Sequence, residues 1–177
     1  AAAHAKGVMV AFEAAVAGGI PIIKSLREGL TANRIQWIAG IINGTTNFIL
    51  SEMRSKGLDF SVVLKEAQRL GYAEADPTFD IEGVDAAHKA TLMSAIAFGI
   101  PVQFDKAYVE GITQLEAQDI QYAEQLGYRI KLLGIAKRRE ANAKTHSPAG
   151  VELRVHPSLV PTSRLIANVE GAMNAVM

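Results

Sequence analysis

The stretch Gly83-Val84-Asp85-Ala86-Ala87-His88-Lys89-Ala90-Thr91-Leu92-Met93-Ser94-Ala95-Ile96-Ala97-Phe98-Gly99 lies between two glycines and meets Pro101 two residues later. It predicts one helix between the glycines, which Pro101 prevents from continuing. From Val84 to Ile100 the only ionisable residues are Asp85, His88 and Lys89, so the helix is apolar almost all round and belongs in the interior.

Outward from that helix the chain alternates strand and helix signals. Residues 35–42 predict a strand in which Ile35, Trp37, Ala39 and Ile41 interleave with Gln36, Ile38, Gly40 and Ile42. It becomes apolar on both faces, which suits a central place in a sheet. Asn43-Gly44-Thr45-Thr46 supplies turn and cap chemistry for a helix over 47–56 stopped by Gly57, and Ser61 is the expected cap of the next helix, ending at Gly71. Strands are expected over 108–113, 130–136 and 151–155, a helix over 116–126, and an exposed loop over 141–150. Nearer the start, residues 8–12 read as a short buried strand, and Pro21 opens a helix over 22–28 that stops at Gly29. No linker or low-complexity tract divides residues 1–177, so the expected fold is one α+β domain (α/β two-layer) with a mixed β-sheet and helices packed mainly on one face.

Composition excludes several functions. Eighteen basic residues balance eighteen acidic ones and are scattered apart from Lys137-Arg138-Arg139, so no basic stripe exists to displace counterions from nucleic acid. The absence of cysteine removes disulfides, thiolate nucleophiles and thiolate metal sites, and fits a cytoplasmic protein. The uncharged stretch over residues 90–104 is short of the about 20 residues a membrane span needs. No cationic start followed by an apolar run opens the chain, so no secretory signal is expected.

At 100° per residue, Asp85, Lys89, Leu92 and Ile96 fall within about 60° of one another, so an acid and an amine share an aliphatic stripe. An ordinary i,i+4 surface pair is the plain alternative. A desolvated charge needs a partner or a task, and the aliphatic company favours the second. Just upstream, Glu74, Asp76, Asp80, Glu82 and Asp85 place five carboxylates in twelve positions. Their spacing lacks the alternating ligands, central glycine and terminal glutamate of a calcium loop.

Gly71-Tyr72-Ala73-Glu74-Ala75-Asp76-Pro77-Thr78-Phe79-Asp80-Ile81-Glu82-Gly83-Val84-Asp85-Ala86-Ala87-His88-Lys89 resembles the catalytic signature of homoserine dehydrogenases. Glu13-Ala14-Ala15-Val16-Ala17-Gly18-Gly19-Ile20-Pro21-Ile22-Ile23, Gly40-Ile41-Ile42-Asn43-Gly44-Thr45-Thr46-Asn47, Lys131-Leu132-Leu133-Gly134-Ile135-Ala136 and Arg154-Val155-His156-Pro157 are similar to the family as well. The resemblance implies NAD(P)-dependent interconversion of L-homoserine and L-aspartate 4-semialdehyde, on the route to threonine, methionine and isoleucine.

Carried over by position, it makes Lys89 the proton donor and acceptor at the substrate oxygen. Glu74 and Asp85 would hold the substrate's ammonium and hydroxyl, with Asp80 in support and Thr45 and Tyr72 lining the pocket. Gly71 would lie against the nicotinamide. Glu13, Val16, Gly18 and Ile20 match a monovalent-cation site, sodium being the expected ion, built largely from main-chain oxygens. The amine and two acids are expected to converge on one small cavity.

The family's Gly-x-Gly-x-x-Gly dinucleotide turn has no counterpart in this sequence, nor has a second family lysine that lies upstream. The nucleotide-binding Rossmann domain is therefore expected to lie outside this chain, with residues 1–177 forming the catalytic and dimerisation domain, most simply as a homodimer. A dimerisation or amino-acid-sensing module without catalysis is the alternative. A thiol-dependent semialdehyde dehydrogenase is excluded by the lack of cysteine.

Overall fold

The computed structural model describes residues 2–141 and 148–177, so most of the loop expected over 141–150 falls outside the described residues. In chain order the elements are α1 (Ala2–Ala5), α2 (Ile22–Lys24), β1 (Trp37–Ile41), α3 (Gly44–Lys56), α4 (Phe60–Arg69), α5 (Thr78–Ile81), α6 (Val84–Phe98), β2 (Tyr108–Val109), α7 (Ala117–Gln125), β3 (Tyr128–Arg139), β4 (Gly150–Pro161) and β5 (Ala175–Val176). The sheet runs β2-β4-β3-β1-β5. Among the described residues only the β2–β4 pair is parallel, which makes the sheet mixed, as the sequence predicts.

Side-chain alternation on the strands assigns the two faces. Ile38, Leu132 and Val155 join Ile49, Met53, Ala87, Ala90 and Met93 of α3 and α6 in the main core. Ile41 and Leu133 point to a smaller cluster closed by Ile166 and Ala167 of the turn Leu165–Asn168. The long helices therefore cover one face. Four of the five residues of β1 are buried, as its two-sided apolar pattern requires.

Several boundaries depart from the sequence reading. Residues 8–12 form no strand: Val8, Met9 and Val10 are exposed, and the sheet edges are occupied by β5 and β2. The Val8 N–H turns back onto the Ala3 carbonyl (3.1 Å) at the end of α1 instead of entering a ladder. Ser61 lies inside α4, whose cap position is Asp59. The helix opened by Pro21 exists, but α2 passes directly into a π-helical turn, Ser25–Gly29. Among the described residues no helix is long and apolar enough to cross a membrane.

The expected strand over 108–113 shortens to two residues for a reason that positions the site. After Glu110 donates its N–H to Val155 (2.8 Å) the chain leaves β4, and Ile112 donates to the carbonyl of Ile81 instead (2.8 Å). This fastens the acidic loop ahead of α6 to the sheet. Gly111 sits at the crossing, where a Cβ would lie 2.3 Å from the Ile81 carbonyl oxygen and 2.5 Å from the Glu82 Cα. Gly111→Ala is expected to cost about 2 kcal/mol as the backbones separate. A urea titration with an unchanged midpoint would contradict it.

Candidate active site

The site is assembled where β1 gives way to α3. Asn43 occupies the N-cap of α3 with extended backbone (φ −128°, ψ 115°), and its Oδ1 accepts from the Thr46 N–H at 2.8 Å and from Thr46 Oγ1 at 3.0 Å. That is ordinary capping. The other end of the amide points into the acidic loop, where Nδ2 donates to Asp80 Oδ1 at 2.6 Å and to Asp85 Oδ2 at 2.8 Å. Asp85 Oδ2 also accepts from the ammonium of Lys89 at 2.6 Å.

Asp80 belongs to the short α5 and Asp85 to the first turn of α6, where the helix dipole favours a negative charge. Lys89 follows one turn later, on the same face as Asp85. Their side chains are 21% and 26% exposed, so the pair is neither sealed in the core nor free in solvent. An ammonium fixed by one carboxylate and still reachable from outside can stabilise a developing oxyanion and exchange a proton with it.

The adjoining loop is ordered by different contacts. Thr45 Oγ1 donates to the carbonyl of Tyr72 at 2.8 Å, and the Tyr72 ring stacks on Phe48 at 4.4 Å between centroids. Gln68 Nε2 donates to the carbonyls of Glu74 (3.0 Å) and Ala75 (3.2 Å). Gly71 has φ +80°, and a Cβ there would meet nothing within 4 Å, so its surface is open to a flat ligand. The hydroxyl of Thr78, then its N–H, hold the Asp76 carboxyl below the usual carboxylate range.

The structure thus gathers Asp80, Asp85 and Lys89 around Asn43, and Thr45 beside Tyr72. The Glu74 side chain is exposed and makes no hydrogen bond or ion pair among the described residues. None of the five clefts of about 350–750 Å³ described on this chain is lined by Glu74, Asp80, Asp85 or Lys89. The expected single cavity is therefore not among them.

The carboxylate of Glu13 accepts the N–H groups of Ile23 (2.7 Å) and Lys24 (2.9 Å), holding the start of α2. Ala17 and Gly18 both take φ +58°, which curls the chain, while Val16 is fully buried. The Ile20 carbonyl accepts from Ile22 at 2.7 Å, whereas those of Val16 and Gly18 accept no backbone hydrogen bond among the described residues. Among those residues no three His, Asp or Glu side chains cluster as metal ligands.

Sequence reasoning missed two buried polar residues. The sequence offers cap chemistry at Asn43, and nothing local in it points to the acidic partners. Lys131 of β3 is 2% exposed, and its ammonium donates to Val169 O at 2.6 Å and Asn47 Oδ1 at 3.1 Å. Burial pushes its pKa down to about 8 against the opposing pull of Glu170. A lysine between Ile130 and Leu132-Leu133 on a core strand was the available signal.

A family model for homoserine dehydrogenase matches residues 21–177. The homoserine dehydrogenase of Pseudomonas aeruginosa is 68% identical over the whole chain, which spans 39% of that protein. That of Neisseria gonorrhoeae is 67% identical over 98% of the chain, which spans 38% of it. The crystal structure of a homoserine dehydrogenase from Thiobacillus denitrificans is 75% identical with a TM-score of 0.92, covering 99% of this chain and 39% of that one. A hyperthermophilic archaeal homoserine dehydrogenase in complex with NADPH is 28% identical with a TM-score of 0.71, over 93% of this chain and 44% of that one. The chain thus spans about two fifths of the length of these relatives.

Proposed function

The chain belongs to the homoserine dehydrogenase family, and from that premise we propose that it supplies the substrate site and catalytic lysine of an NAD(P)-dependent enzyme interconverting L-homoserine and L-aspartate 4-semialdehyde. The observation that carries the proposal is the Lys89 ammonium, 2.6 Å from Asp85 on a helix that is otherwise nearly free of charge. A sensing module would not need this pair, since its ligand contacts belong at an interface.

In the reduction direction, negative charge develops on the aldehyde oxygen as the carbon is reduced. Lys89 stabilises that charge and then gives up a proton to it; in the oxidation direction it receives the hydroxyl proton. Asp85 and Glu74 hold the substrate hydroxyl and ammonium, Asp80 supports Asp85 through the shared Asn43 amide, and Thr45 and Tyr72 flank the substrate. Bound nicotinamide supplies or removes the hydride, and the open face of Gly71 suits a flat ring.

The curled turn fits a hard monovalent cation such as sodium, held by the main-chain oxygens of Val16 and Gly18 with Ile20 and Glu13 completing the turn. The whole enzyme is expected to act as a cytoplasmic homodimer on the shared route to threonine, methionine and isoleucine.

The deciding assay is homoserine-dependent reduction of NAD+ and NADP+ by a full-length enzyme containing this chain. No reduction of either would overturn the proposal. The dinucleotide-binding domain is expected to lie outside residues 1–177, so the isolated chain should bind NADPH more weakly than micromolar and turn over little substrate. Fluorescence titration checks this, and micromolar binding by the isolated chain would contradict it.

A further inference from the structure

We infer that Asn43 is a positioning residue of the reaction: its amide sets the direction in which Asp85 faces Lys89, and so where the lysine proton is delivered. This rests on the function proposed above.

A cap requires only a side-chain acceptor, which Ser, Thr, Asp or Asn supplies about equally well. The acidic loop makes a different demand. Asp80 Oδ1 and Asp85 Oδ2 both lie within hydrogen-bond distance of one nitrogen, so two like charges are held close together with a single group between them. Only an amide has an acceptor for the cap and two donors for two carboxylates. The amide orientation is fixed as well, since reversing it would aim NH₂ at the Thr46 N–H and oxygen at two acids.

Asn43 is 4% exposed, which leaves water little room to take over the bridge. Asp85 Oδ2 is shared between this amide and the Lys89 ammonium. Removing the amide hydrogens leaves the two carboxylates facing one another, and Asp85 turns away together with the lysine it orients.

Two substitutions separate this from a merely structural role, because both retain the cap. In the full-length enzyme, Asn43→Ser is expected to lower kcat about tenfold, and Asn43→Asp about 30-fold at neutral pH, as loss of a hydrogen bond to a charged group implies. For Asn43→Ser, Tm should move by no more than a few degrees, and in both variants KM for the nicotinamide cofactor should stay near wild type. Asn43→Asp should recover part of its activity as pH falls, because the introduced carboxyl regains a donor when protonated. Asn43→Ser should show no such recovery.

Near-normal kcat in both variants, or losses that follow Tm without the low-pH recovery, would overturn the inference. If the wild-type enzyme itself shows no homoserine-dependent reduction of NAD+ or NADP+, the underlying function has failed and the inference falls with it.

Discussion

Replacing Lys89 with alanine in the full-length enzyme is expected to lower turnover by about 10²-fold or more, with little change in Tm. The small effect on stability follows from its surroundings. The side chain is about one quarter exposed and has one acidic partner, and that partner keeps its Asn43 hydrogen bond when the ammonium is gone. No buried group is left unpaired, so the main penalties for a polar deletion do not arise. Turnover depends on the ammonium itself, because no other cation is paired with Asp85 among the described residues. Lys89→Arg separates the two parts of its role: arginine keeps the charge but does not give up its proton, so a persistent deficit locates the loss in proton transfer. Near-normal turnover in Lys89→Ala would remove the residue from the mechanism.

The fold was most legible where sequence punctuation and packing agree. α6 occupies the span between Gly83 and Gly99, because both glycines take the left-handed cap conformation and the interior has almost no polar side chains to expose. α3 begins at Gly44, three residues before the expected start at Asn47, since Asn43 at the head of the turn signal is itself the cap and accepts the Thr46 N–H. β3 and β4 each extend to twelve residues, β3 through the charged positions Arg129 and Lys137-Arg138-Arg139 and β4 onward from His156 to Pro161. The register explains the extension, with Tyr128 opposite Pro161 and Arg139 opposite Gly150.

The site divides in the same way. Asp85 and Lys89 are readable from residue type and helical spacing, and Asp80 from the stretch that resembles the homoserine dehydrogenase signature. Asn43 reaches its acids across 37 and 42 residues of sequence, and Lys131 reaches Asn47 across 84. Such contacts are set by topology, and no local pattern encodes them. The same limit hid the capping role of Glu13, whose two N–H partners lie on a helix entered only after a curled turn.

Stability should depend on pH through Lys131. Its ammonium is enclosed by Asn47 of α3, the Val169 carbonyl and the neighbouring charges Arg129, Glu170 and Arg54, the last also paired with Glu124 of α7. Burial works against Glu170 too, yet the Lys131 ammonium and a hydrogen bond from Arg54 hold its carboxyl below the usual range. Lys131 has a pKa of about 8 in the folded chain against an ordinary value of 10.5. The unfolded chain therefore holds the extra proton more tightly. Below about pH 8 both states are protonated and the burial penalty is fully present; between about 8 and 10.5 only the unfolded state keeps the proton, and stability rises with pH. At 1.36 kcal/mol per unit the gain is at most about 3 kcal/mol. Surface ion pairs titrate in the same range, so the informative quantity is the difference from Lys131→Met, which lacks the titrating group but keeps much of the volume. That difference should grow in favour of wild type between pH 8 and 10.5, and at neutral pH Lys131→Met should already be destabilised by about 2 kcal/mol because Asn47 Oδ1 and the Val169 carbonyl lose a donor. Equal stability at neutral pH together with a difference that stays flat across the window would mean that the ammonium is not enclosed and does not tie Val169 to Asn47 of α3.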